Sequence, residues 1–393
     1  MLRDRPAPGD GGTRPHEIGT APPPRRPDAG RTRRPDAGRT RRVHAGRGVL
    51  ALVVGVLAIA AGIGAGVPAR GSLARGAGYL AVGLGLLLVV VAMVELARSL
   101  RRWWRLLLVP VLVGVLGAVD VLGVGVLAGA GPRPGARRGD PADVGLVAED
   151  VSVPTGDGER LAGWYVPTRT GAAVVLLHGS GSSRRAVLEH AAVLAGRGYG
   201  VLAVDARGHG ASTGQAMRWG WYGDTDVPAA VSFLTSRSEV DPGRVAVVGL
   251  SMGGEEAIGA AARDSRIRAV VAEGVTGRQA ADLDWLSDVY GWRGRVQEGI
   301  QAAQTAVAAA LTPAASPVPL REAVRRAAPR PVLLVAGGNE PDEQHAAAWL
   351  HDAAPGSVRV WVVPGAGHTA GLATDPTGWE ENVVGFLDAA TAA

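Results

Sequence analysis

Three stretches near the N-terminus are apolar almost without interruption. Residues 49–69 carry no charge over 21 positions, 76–94 none over 19, and 106–130 only Asp120 over 25. A bilayer core takes about 20 helical residues, so the pattern predicts membrane-spanning helices over 49–69, 76–96 and 106–130. Asp120 tests the third. A mid-membrane carboxylate costs about 3 kcal/mol, whereas each Leu or Val contributes roughly −0.3 to −0.6 kcal/mol. The 15 Leu and Val of that stretch outweigh it. As a lone acid, Asp120 is expected to be protonated in place or turned toward a neighbouring helix rather than to work as a proton site. The small-residue pairs Gly62/Gly66 and Gly125/Gly129 permit close helix approach, though glycine is frequent throughout (58 residues).

Beyond a Gly/Pro/Arg linker at 131–143 the texture changes to short β-type runs alternating with Ala-rich helical ones. VAEDVSVP (147–154) and RLAGWYVP (160–167) flank the turn signal TGDG and predict a hairpin. Buried strands are predicted at 172–179, 200–208, 244–251, 267–274, 331–338 and 357–365. Helices are predicted at 184–197, 222–237, 252–263, 343–353 and near 378–391. An excursion fills 275–328. Continuous apolar strands separated by helices imply a parallel sheet covered on both faces, so residues 144–393 are expected to form an α/β domain.

Charge alters the picture only at the N-terminus. Residues 1–48 hold 12 of the 41 Arg against 5 acids, and RRPDAGRT occurs at 25–32 and 33–40, then degraded as RRVHAGRG at 41–48. This segment is expected to be a disordered arm drawn to anionic headgroups. The remaining 345 residues carry 29 Arg against 31 acids, so the net charge of +5 does not describe a nucleic-acid face. With the tail inside, 16 Arg flank the spans on the inner side (Arg98, Arg101, Arg102 and Arg105 among them) against five outside: Arg70, Arg75, Arg133, Arg137 and Arg138. The positive-inside rule then places the tail in the cytoplasm, Trp103 and Trp104 at the inner interface, and the α/β domain outside a cell membrane crossed three times. Cysteine is absent, which excludes disulfides, thiolate nucleophiles and Cys-ligated metals.

The chemistry begins at Gly249-Leu250-Ser251-Met252-Gly253, a G-x-S-x-G pattern between an apolar strand and an Ala-rich helix. Such a strand-to-helix turn exposes a serine hydroxyl, and the helix N-terminus aims the Met252 N–H at a developing oxyanion. His178-Gly179-Ser180 ends an earlier strand, where the Ser180 N–H is the expected second donor. The general base should lie beyond the serine. Of eight His, only His345, His351 and His368 follow it, and the first two fall in a helical pattern, leaving His368 in PGAGHTAG. The acid is sought in AGGNEPDE (336–343): Asp342 first, Glu340 as the alternative, and Glu343 behind both, since Asp342 could instead cap the following helix.

HGSGS, DARGHGAST (205–213), GLSMGG, VLLVAGGNEPDE and VPGAGHT occur in the order found in α/β hydrolases, and residues from about 145 to 393 resemble that superfamily. The acid turn departs from the family's common G-x-x-D form. The resemblance implies an eight-stranded, mostly parallel sheet with Ser251 on strand five, a structural role for His209, and a lid-like excursion at 275–328 with Trp285, Tyr290 and Trp292. It implies acyl transfer through a Ser–His–acid triad, with no metal or organic cofactor. The expected substrate is a small-molecule carboxylic ester, lipid and other acyl compounds included, and membrane lipid is the expected surroundings. A serine peptidase of the prolyl-oligopeptidase or aminopeptidase type, and a non-catalytic membrane protein reusing the fold, remain the alternatives.

Overall fold

The computed structural model describes residues 37–69, 71–131 and 139–392. The expected disordered tail therefore lies outside the described residues up to position 36, as do Arg70 and most of the linker. Helix α1 (Ala37–Ala61) begins within the repeat region and runs on through a π turn at Gly62–Gly66. So 37–48, expected as disordered tail, are helical here. The apolar stretch that follows nucleates a helix, and extending it backward adds one hydrogen bond per residue ordered. Helices α2 (Ser72–Ser99) and α3 (Leu108–Ala130) follow, and all three are long and apolar enough to cross a membrane. Among these three helices, Gly66 and Gly78 approach so closely that a Cβ on either would fall 2.4 Å from the other's backbone.

The α/β part opens with the hairpin β1 (Glu149–Pro154) and β2 (Arg160–Val166). Then come β3 (Ala173–Leu177), α4 (Leu188–Gly196), β4 (Gly200–Val204) and α5 (Gly223–Thr235). Next are β5 (Val245–Leu250), α6 (Met252–Ala261) and β6 (Ile267–Glu273). The excursion forms α7 (Leu286–Tyr290), α8 (Trp292–Leu311) and α9 (Leu320–Ala327). The chain returns through β7 (Val332–Gly337), α10 (Pro341–His351) and β8 (Val358–Val363).

The strands make one eight-stranded sheet in the order β1-β2-β4-β3-β5-β6-β7-β8, parallel from β4 to β8 and antiparallel at the β1–β2–β4 edge. Alternate residues of each central strand feed opposite faces. Val175 and Leu177 join α5, α6 and α9 in one core, while Val174 and Leu176 join α4 and the C-terminal segment around Trp379 and Leu387 in the other. Both faces are thus dry, which is why these strands read as unbroken apolar runs rather than as alternation. Because all parallel strands point the same way, their C-terminal ends deliver Ser251, the 178–182 loop and the 364–370 loop to one edge.

Candidate active site

Ser251 sits between β5 and α6 in a backbone conformation (φ 54°, ψ −122°) that L side chains rarely adopt. Its N–H donates to the Glu273 carbonyl at 2.6 Å, which fixes the turn against the end of β6. The two glycines of the motif are demanded by space. A Cβ on Gly249 would lie 2.1 Å from the Gly253 carbonyl oxygen, and one on Gly253 would lie 2.7 Å from Leu177 Cβ. Met252 is the first residue of α6, so its N–H is one of the helix's unpaired donors and lies at the positive end of the dipole.

From the β3 side, Gly179 comes within reach of the same serine: a Cβ on it would stand 3.3 Å from Ser251 Cβ. Ser180 follows and lines the cavity that holds Ser251 and Met252. The loop is shaped from beneath. His178 is buried, its Nε2 accepts the Ala206 N–H at 3.0 Å, and its Nδ1 faces the Gly179 carbonyl at 2.8 Å, so the ring is neutral with Nδ1 protonated. Burial holds its pKa below the usual histidine range. His209 is fully buried against it, and burial pushes its pKa down to about 3. Asp205 accepts the Arg184 and Ala211 N–H groups at 2.7 and 2.8 Å. The DARGHG segment is thus a buried polar knot supporting the loop, not a group facing the cavity.

His368 lies in the loop after β8. Its partner differs from the sequence expectation. Nδ1 donates to Glu343 Oε1 at 2.5 Å, and the other carboxylate oxygen of Glu343 accepts the Gly337 N–H at 2.9 Å. Asp342, the acid expected first, is not the carboxylate that meets His368 here: it is exposed, and its Oδ1 accepts the Tyr290 hydroxyl at 2.6 Å instead. Glu340, the alternative, meets only the His368 backbone, accepting its N–H at 3.2 Å. The reason is where α10 starts. With Pro341 as its first residue, 342 and 343 are already helical, and one residue turns a side chain by about 100°. Asp342 therefore faces α7, and Glu343 faces the histidine. The Glu343 hydrogen bond raises the His368 pKa above the ordinary value.

Two further features tie His368 to the serine. A Cβ on Gly274, the residue after Glu273, would lie 3.0 Å from His368 Cε1, so the imidazole covers the strand end that holds the Ser251 N–H. Among the described residues the two non-glycine positions with positive φ are Ser251 and Thr369, one at each side of the site. Sequence reading missed Glu273, a buried carboxylate whose Oε1 accepts the Gly371 N–H at 2.8 Å and so anchors the histidine loop. Its signal was faint: an acid closing an otherwise apolar strand. His345, set aside in the sequence, packs its ring against Trp285 and Tyr290, while His351 is half-buried beside Asp352.

A cavity of about 450 Å³ opens above the serine, within the range of small-molecule sites. Ser180, Ser251 and Met252 form its floor, Trp285 and Gln301 belong to the excursion, and Val124 and Leu127 come from α3. Glu255, one turn into α6, lines it too, accepting the Gly277 N–H at 2.8 Å, and burial pushes its carboxyl up to about 7.

Sheet order, serine turn and late histidine loop together define the α/β-hydrolase fold. The chain is an α/β-hydrolase-fold protein with three long apolar helices ahead of the fold. The family model described as serine aminopeptidase, S33, matches residues 168–312. An uncharacterized protein of Mycobacterium tuberculosis is 39% identical over 135 residues, 34% of this chain and 46% of its own. The uncharacterized protein YfhR of Escherichia coli is 33% identical over 132 residues, 32% of this chain and 46% of its own. The chain thus spans about half the length of these curated relatives. The esterase Pf2001 of Pyrococcus furiosus superposes with a TM-score of 0.52 at 23% identity, covering 66% of this chain and 98% of the esterase.

Proposed function

We propose that the chain is a membrane-anchored serine hydrolase of carboxylic esters, with Ser251 as nucleophile, His368 as general base and Glu343 as the acid. The observation that carries the reading is the 2.5 Å bond from His368 Nδ1 to a buried carboxylate, beside a serine in a strained turn at a helix N-terminus. Because Nδ1–H is committed to Glu343, Nε2 keeps its lone pair for the Ser251 hydroxyl. Ser251 Oγ attacks the ester carbonyl as His368 takes its proton, and the Met252 and Ser180 amides receive the oxyanion. The C–O bond to the alcohol breaks, His368 returns the proton to the leaving oxygen, and an acyl-Ser251 ester remains. Water, deprotonated by the same histidine, releases the acid. A fluorophosphonate probe should label the peptide containing Ser251 in the full chain. Labelling elsewhere, or none, would refute the assignment.

A peptidase reading has one specific support, the serine aminopeptidase description of the matching family model. Aminoacyl-nitroanilides run beside p-nitrophenyl esters separate the two, since one triad serves both.

The arginine asymmetry supports a cytoplasmic N-terminus and an α/β domain on the outer face of the membrane. Trypsin added to intact cells should then cut at Arg133, Arg137 or Arg138. The cut domain should stay with the membrane until detergent is added, because α8 is docked on α3: Gln304 donates to Asp120 at 2.9 Å. Cutting that occurs only after the membrane is broken would place the domain in the cytoplasm.

A further inference from the structure

The third apolar helix does not end at the domain; it enters it. The last four carbonyls of a helix have no partner within it. At the end of α3 two of them are taken by the α/β part, Ala128 by the Arg218 N–H at 3.0 Å and Gly129 by the Gln215 side-chain amide at 2.7 Å. Farther back, Asp120 accepts the Gln304 amide of α8 at 2.9 Å, and Gln304 is buried. The small-residue pair Gly125/Gly129 faces α8 rather than another span. A Cβ on Gly125 would lie 2.6 Å from Val307 Cβ, and one on Gly129 2.5 Å from the Ala308 carbonyl. These close contacts seat α8 along α3 from the middle of the apolar stretch to its end. The side chains of α8 at 297, 301 and 305, one helical face, then line the cavity above Ser251, and Val124, Leu127 and Ala128 of α3 complete its wall. Val289, Trp292 and Val296 are large apolar residues left exposed on α7 and α8.

We infer that α3 is a structural wall of the substrate pocket and that the substrate is a membrane-resident acyl ester, whose ester group reaches Ser251 while its chain lies against Val124 and Leu127. The inference rests on the serine-hydrolase reading above. A helix of a bilayer-spanning set that lines a catalytic pocket opens that pocket at lipid depth, where a long acyl chain reaches it without crossing water. Asp120 and Gln304 are positioning residues: their hydrogen bond sets the register of α8 on α3.

The test uses the full chain in nanodiscs, with p-nitrophenyl laurate and butyrate as substrates. Because one methylene in an apolar pocket is worth about tenfold or more in kcat/KM, Leu127→Trp should lower the laurate-to-butyrate ratio of kcat/KM by about tenfold or more. Leu127→Ala, which removes contact instead of adding bulk, should shift the ratio the same way and serves if the tryptophan variant does not take the probe. A ratio unchanged in both Leu127 variants overturns the α3 wall. Failure of the wild-type chain to label at Ser251 instead overturns the hydrolase reading, and this inference with it.

Discussion

Replacing Ser251 by alanine is expected to lower kcat by about 10⁴- to 10⁶-fold, because a triad without its nucleophile retains only what binding and the oxyanion donors supply. The change deletes one hydroxyl and leaves the turn's backbone bonds in place, the Ser251 N–H to Glu273 among them, so the fold should be kept. Glycine at this position gives the sharper contrast. Ser251 holds φ 54° and ψ −122°, a conformation that costs a residue with a Cβ of order 1–3 kcal/mol. Ser251→Gly should therefore be as inactive as the alanine variant yet melt above it. Ester turnover within about tenfold of wild type in either variant would remove Ser251 from the reaction. A glycine variant less stable than the alanine one would show that the turn is not strained.

What could be read in the sequence follows from how local each feature is. The nucleophile turn was legible because strand, glycines and helix are adjacent in the chain, and the sterics at Gly249 and Gly253 leave little choice of residue. Strands β3 to β7 were legible because burial on both faces makes each a nearly unbroken apolar run, and the β1–β2 hairpin because of the turn signal between its strands. His368 emerged by elimination, since it alone of the late histidines falls in a Gly-rich loop. The partner of His368 was not legible because it depends on which turn of α10 faces the histidine: with Pro341 opening the helix, 343 rather than 342 points that way. The partner of Asp120 was out of reach altogether. Gln304 lies 184 residues away, and nothing in either segment's composition couples them. Gly125 and Gly129 showed that α3 allows close approach without showing what approaches.

The acid prediction is the one where the structure departs from the sequence, and it has two independent readouts. Glu343→Gln is expected to lower kcat by about 10²- to 10⁴-fold, since an amide can offer N–H to Nδ1 and stabilise the wrong tautomer, leaving no lone pair at Nε2, the nitrogen proposed to take the serine's proton. Asp342→Asn and Glu340→Gln should each cost less than about tenfold. The first touches Tyr290, and the second only the His368 backbone N–H, which a glutamine oxygen still accepts. The pH profile separates a catalytic partner from a packing residue. His368 works as a base only when neutral, so activity rises with pH through its pKa, which Glu343 holds above the ordinary value. Removing the carboxylate removes that elevation, and the acidic limb of kcat/KM should move to lower pH in Glu343→Gln while staying in place in Asp342→Asn. A fall in kcat with an unmoved limb would make Glu343 a support for the Gly337 turn alone. A large loss confined to Asp342→Asn would return the acid to the position the sequence favoured.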